Sequence, residues 1–385
     1  MLAKNFKKTT LIILSFSFFS CSIIFSLFLQ EDQTPSGMIV IFQNGNVEIE
    51  RNGKKIKSAP GFIVRENDTI KIGSGSIDVQ TANGDIIRMK SFSKITLKDI
   101  SSGSKPNTNL YVQTGELLIK ANKLKSKESF FLTTPTAVAG VRGTTFSFEL
   151  TEGKPPKVKV YEGAVAISFK IPKDIIENNK AQDKELYNDF ITFLEKNEVV
   201  LENGDSSYIE PSLDDMIQLV VTRMEQNEDI SKQFDAIKKT ENHDFRKVEF
   251  TETPQEAAEI ETLVQTNPDL VVKALKEKNP DSTQPVIASV SMEIQADHDS
   301  KLEEALKKIE TTAQSNELKD EAKIREYYNI LEIVVKTDGT KLSGAVVTQI
   351  GDKLILHTPS GVKRLNKNEI DYVDYQSFQI KTKSK

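Results

Sequence analysis

The punctuation of the first half constrains this chain most. From Met38 onward short apolar runs alternate with polar residues, and Asn-Gly pairs fall between them at Asn44-Gly45, Asn52-Gly53 and Asn83-Gly84, with another at Asn203-Gly204. Such pairs supply the positive φ angles that two-residue hairpins need, and period-two alternation turns one side of a strand toward a core. Residues 77–81, 86–89 and 110–114 are runs of this kind. The spacing predicts an antiparallel sheet, sandwich or roll over residues 38–170. The polar stretch 101–109 is expected to separate its two halves.

The N-terminus carries an export pattern. Lys4, Lys7 and Lys8 precede a nearly unbroken apolar run from Leu11 to Leu29. The charges stay in the cytoplasm while the run enters the bilayer. Residues 1–30 then have three readings. Phe18-Phe19-Ser20-Cys21 resembles a relaxed lipobox of the spirochaetal type. Cleavage there leaves an acylated Cys21, and several acyl chains anchor stably where one is marginal. Against this, Ile23, Ile24, Phe25, Leu27, Phe28 and Leu29 prolong the apolar run past the cysteine, as an uncleaved signal anchor does. The third reading is ordinary cleaved secretion. All three place the body outside the cytoplasm, with polar residues 30–37 as a tether.

The segment from 134 to 165 is the most distinctive. It holds Thr134-Pro135-Thr136-Ala137, then Val141-Arg142-Gly143-Thr144-Thr145-Phe146, then Val158-Lys159-Val160-Tyr161-Glu162-Gly163-Ala164-Val165. With Gly73-Ser74-Gly75-Ser76 and the glycine of Asn83-Gly84 upstream, these resemble the FecR family of periplasmic domains, and the likeness resumes at residues 199–209. The resemblance implies a mainly β domain over 38–211, with a helical insert at 172–197. Pro135, Gly140, Arg142, Gly143, Thr144, Phe146, Glu162 and Gly163 are its motif residues. They are expected to shape turns and packing, Gly140 and Gly143 letting the backbone turn beside Arg142. Pro135 belongs at a strand start or edge. Arg142 is a candidate partner for Glu162.

Later segments change character. Tyr187, Phe190, Ile191 and Leu194 lie at helical spacing and predict an amphipathic helix. Residues 212–330 read as a helical region, with a helix at 214–225, another opening at Pro254, another at 269–278, and one long charged helix over 301–328. Within it, 285–296 reads as a strand, while 225–253 and 278–300 read as linkers or processing sites. Residues 331–378 resemble a small Sm-like or SH3-like β barrel, on the turn at Asp338-Gly339, the run Leu354-Ile355-Leu356-His357-Thr358 with Gly361, and the closing Ile370 and Val373. From the lipobox-like start to this tail, the layout looks most like FecR-domain lipoproteins of spirochaetes.

The chemistry-bearing residues are sparse. A net charge of −5 over 385 residues offers no concentrated basic surface for nucleic acid. Cys21 is the one cysteine, so the body has no disulfide, and the three histidines, His243, His298 and His357, are far apart with different neighbours. His243 and His298 sit in polar sequence and are expected on the surface, His357 on the outer face of a strand. Gly73-Ser74-Gly75-Ser76 lacks the lysine and helix of a phosphate loop. Ser91-Phe92-Ser93-Lys94 matches the serine–lysine pattern of penicillin-interacting enzymes, but lies in strand-like sequence without the companion motifs. Lys120, Lys123, Lys125 and Lys127 form a basic hairpin tip. No catalytic, cofactor or metal residues are assigned. The expected function is a non-enzymatic binding, sensing or scaffold role at the envelope. Its expected partners are the membrane, through the N-terminus, and an envelope protein or peptidoglycan. The alternative is a single-span transmembrane regulator of a sigma factor.

Overall fold

A computed structural model of the chain describes residues 36–101, 107–123, 128–152, 154–171, 184–196, 198–241, 244–276 and 288–375. The apolar run with Cys21, and also His243, Lys125 and Lys127, lie outside these residues. Among the described residues no helix is long and apolar enough to cross a membrane.

The first half is strands: β1 (Met38–Arg51), β2 (Lys54–Ile56), β3 (Ile63–Val64), β4 (Thr69–Thr81), β5 (Ile86–Met89), β6 (Lys94–Ser101), β7 (Asn107–Lys120), β8 (Ser129–Thr133), β9 (Ala137–Val141), β10 (Thr145–Leu150), β11 (Lys157–Glu162) and β12 (Ala164–Phe169). Helix α1 (Lys184–Glu195) follows, then β13 (Val199–Glu202) and β14 (Asp205–Tyr208), the helices α2 (Pro211–Glu225) and α3 (Ser231–Lys238), and β15 (Arg246–Glu249). These strands form one 15-stranded sheet among the described residues. Its pairings are antiparallel apart from β7 with β8, which run parallel. The long strand β7 is shared. Residues 107–111 pair with β8, residues 107–114 with β6, and residues 115–120 with β10, while β5 pairs with 117–120. The sheet therefore branches at β7 and closes around one apolar core that includes Ile49, Leu97, Val112, Phe130, Phe146 and Phe169.

Several expectations for this region need correction. Asn52-Gly53 does make a hairpin, with φ of 50° and 73°. Asn44-Gly45 does not, because β1 runs straight through it and Gly45 sits in a bulge opposite Gly75. Residues 101–109 separate no halves: Ser101 ends β6, residues 107–109 begin β7, and the two strands pair here. Segment 225–253 is no linker. It contains α3, whose Phe234 and Ile237 enter the core, and β15, which extends the sheet beside β14. Helix α1 behaves as its spacing predicts. Tyr187, Phe190, Ile191 and Leu194 are its buried residues, and Phe190 meets Phe234 edge-on at 5.2 Å.

The sheet is covered on both faces at its N-terminal end. In β1, Met38 and Val40 face the main core, whereas Ile39 and Ile41 face outward into a second cluster. That cluster is completed by α5 (Pro268–Lys276) and the start of α6 (Ala288–Ser315), with α4 (Pro254–Glu261) before them in sequence. Thr253 and Glu256 form a capping box on α4, and Glu256 also holds Lys159 at 2.6 Å and the Tyr161 hydroxyl at 3.1 Å, fixing the helix to β11.

Helix α6 overturns the strand expected at 285–296 and the single helix expected at 301–328. Val290, Ile294, His298, Leu302, Leu306, Ile309 and Ala313 recur at three- and four-residue steps and are all buried, so a helical period runs from 290 to 313. At 28 residues it is about 42 Å long. It stops where Glu317 takes a φ of 49°, and a new helix, α7 (Glu321–Tyr328), starts behind the Asp320 cap.

The tail holds β16 (Glu332–Lys336), β17 (Lys341–Ile350), β18 (Lys353–Thr358), β19 (Gly361–Asn366) and β20 (Ile370–Tyr375), in the order β19-β18-β17-β16-β20. Val334, Leu354, Leu356 and Leu365 form its inner core. This is a five-stranded antiparallel sheet, and β19 and β20 at its edges are not paired to each other among the described residues. The far half of α6 grips it. Glu310 takes Arg364 in a fork at 2.6 and 2.9 Å, Glu303 holds Arg364 and Lys353, and Gln314 accepts from the Val362 N–H at 2.9 Å. One helix thus spans from the large sheet to the small one.

Candidate functional site

The motif residues build a corner rather than a binding site. Thr144 is buried, its hydroxyl donating to the Ala164 carbonyl at 2.7 Å and accepting from the Ala164 N–H at 3.2 Å. This clasps the turn after β9 to the turn before β12. Gly143 and Gly163 face each other there with φ of 64° and 88°, and a Cβ on Gly163 falls 2.4 Å from the Gly143 carbonyl oxygen. Phe146 lies in the core, and Pro135 is exposed in the turn between β8 and β9. Gly140 makes no turn: it sits inside β9, paired with Ala166 and Phe131. Arg142 and Glu162 are both exposed and form no ion pair among the described residues, so the pairing expected for them is absent.

The polar cleft lies elsewhere, between the bulge shared by β1 and β4 and the turn after β17. Its volume is about 490 Å³, within the roughly 300–1,000 Å³ of small-ligand sites. Gly45 and Gly75 form the floor. They lie opposite each other with φ of 73° and 108°, and a Cβ on Gly45 falls 2.1 Å from the Ser74 carbonyl oxygen. Asn44 Oδ1 accepts from the Ser76 N–H at 3.0 Å. Ser91 Oγ both accepts from the Gly75 N–H and donates to the Gly75 carbonyl, each at 3.0 Å. On one wall Lys90 bridges Glu116 at 2.7 Å and Glu259 at 2.8 Å. Burial works against its charge, but the two carboxylates outweigh that and raise its pKa. Gln349, Gly351 and Lys367 supply the facing wall. The lining is serine, amide and charge, with Lys90 paired to both carboxylates, and it is rich in donors and acceptors for a hydroxyl-bearing ligand.

Beneath this cleft the outward face of β4 and β5 is polar yet buried. Arg88 is 4% exposed and holds Asp78, 1% exposed, through two bonds of 2.9 and 2.7 Å. It also donates to the Thr262 hydroxyl at 2.7 Å. Gln80 exchanges a reciprocal pair of 2.8 Å bonds with the Thr266 backbone. The segment from α4 to α5 is docked on the sheet by these contacts.

Two histidines are not where sequence put them. His298 is 1% exposed, because it falls on the buried stripe of α6 and stacks on Phe42 at 5.5 Å. Burial lowers its pKa against the opposing pull of Asp78 and Asp299. His357 is buried at the interface with α7, where Nδ1 meets the Tyr328 hydroxyl at 2.9 Å, and burial lowers its pKa too.

Sequence reasoning missed the cleft because its parts come from seven separated segments. Gly73-Ser74-Gly75-Ser76 gave a usable signal, since so many small residues inside a strand run mark a bulge. It lies within β4 with no helix behind it, so it is not a phosphate loop. Ser91 is tied to Gly75 in the turn between β5 and β6.

No curated protein matches the chain. Among solved structures, two crystal structures of a protein provisionally described as an anti-sigma factor from Parabacteroides distasonis align at 12% identity. The alignment covers 37% of this chain and 55% of that one, with a TM-score of 0.28, so the likeness carries no argument. The profile of the FecR protein family matches residues 68–166, from the start of β4 into β12, and takes in the Thr144 corner and the Gly75 side of the cleft floor. The similarity to the FecR protein family thus covers residues 68–166, about a quarter of the chain.

Proposed function

We propose that this is an envelope protein, tethered to a membrane by its N-terminus, whose FecR domain is a non-enzymatic binding and sensing module. The observation that carries this reading is the FecR match over residues 68–166. The polar cleft supports it as the place for a ligand, because it joins the FecR domain to the C-terminal sheet. A ligand held by both walls would bias how the two sit together, as any ligand biases the state it binds better. The partners in view are an envelope protein or peptidoglycan. The same match favours a second reading, a single-span regulator of a sigma factor, which differs at the N-terminus.

Intact-mass spectrometry of the protein from its native membrane separates the readings. A chain beginning at Cys21 with added acyl mass is the expected result and removes any cytoplasmic segment. An unmodified chain beginning at Met1 favours the single-span regulator. An unacylated chain beginning beyond residue 21 contradicts the tether.

A further inference from the structure

We propose that the cleft is a saccharide site, with Phe92 as the aromatic platform for a pyranose ring of an envelope glycan. Two unfavourable features coincide at this residue. Its side chain is 76% exposed, and its φ is 63°, a conformation that costs a bulky L-residue roughly 1–3 kcal/mol. Neither feature serves packing. The backbone holds the residue in place all the same, because the Phe92 N–H donates to the Gly73 carbonyl at 3.0 Å. Next to it, Ser93 is buried and its hydroxyl accepts from the Glu116 N–H at 3.2 Å.

This turn carries Phe92 directly after a cleft-lining residue. Ser91 before it lines the cleft, and Gly73, which it bonds, precedes the lining residue Ser74. A pyranose ring has one chemistry on its faces and another on its edge. Its axial C–H groups suit the negative face of an aromatic ring, and its hydroxyls need donors and acceptors around the perimeter. The exposed Phe92 ring, one residue from the lining Ser91, offers the first, and the lining serines, Asn44 and Gln349 offer the second. Lys90 is held by Glu116 and Glu259, so its charge is committed within the wall and its neighbours are hydroxyl and amide groups.

The proposal rests on the reading of the body as an envelope binding module, and its test is separate. The full chain in detergent is mixed with purified peptidoglycan sacculi, and in parallel with the delipidated polysaccharide of lipopolysaccharide. Binding and thermal midpoint are measured for the wild type and for Phe92→Gly, since glycine adopts this φ without strain. The expected result is glycan binding that weakens on the order of tenfold in Phe92→Gly while the midpoint holds or rises. The glycan that binds identifies the source. Binding to neither, or binding that Phe92→Gly leaves unchanged, overturns the proposal. So does a joint fall in binding and midpoint, which makes Phe92 a packing residue. Phe92-dependent binding of a protein instead of either glycan also overturns it. A failure here leaves the intact-mass result standing, so losing the site is distinguishable from losing the envelope reading.

Discussion

Arg88→Ala lowers the stability of the protein by roughly 3–5 kcal/mol, the cost of leaving one partner of a buried ion pair without the other. Asp78 stays 1% exposed beneath α4, α5 and α6, and loses both bonds that hold its charge. Thr262 loses its contact with the sheet at the same time. Replacing both charges, as in Asp78→Leu with Arg88→Met, is far milder, because apolar side chains of similar size fill the site without a stranded carboxylate. Urea unfolding of the three proteins is the measurement. A loss under about 1 kcal/mol for Arg88→Ala contradicts the described burial.

Gly163→Val is the second large effect, on the order of 2–4 kcal/mol. Part of it is the cost of a β-branched residue at a φ of 88°, and part is overlap with the Gly143 carbonyl 2.4 Å away. Both disturb the Thr144 clasp between the turns beside β9 and β12. Arg142→Ala, one residue from the same corner, changes stability by no more than about 0.5 kcal/mol, since Arg142 is exposed. The contrast separates a motif kept for its backbone from one kept for its charge. An Arg142→Ala effect as large as that of Gly163→Val would assign the motif to the charge.

The comparison of sequence with structure turns on which interactions are local. The hairpin at Asn52-Gly53 and the stripe of α1 are encoded within a few residues, and both were legible. Alternation in β4 and β5 was legible too, but nothing local marks Asp78, Gln80 and Arg88 as buried. They are buried because residues 262 and 266, nearly two hundred positions later, fold over them. His298 was misplaced for a related reason. Its polar neighbours Asp297 and Asp299 describe the faces of α6 on either side, while its own position is set by the period linking Ile294 to Leu302. In the candidate site, the family corner was readable as contiguous motif. The cleft was not, since Asn44, Ser74, Ser91 and Glu116 of the large sheet, Glu259 of α4 and Gln349 of β17 are distant in sequence and meet only in the folded molecule.

The central claim is that the folded body faces the envelope. Lys54 is exposed at the tip of the first hairpin, and the natural chain has a single cysteine, Cys21. A Lys54→Cys protein is exposed to a membrane-impermeant maleimide in cells whose outer membrane alone has been permeabilised, with the natural chain as background. The account predicts labelling at residue 54 with the inner membrane intact. Labelling that appears only after the inner membrane is broken would contradict it.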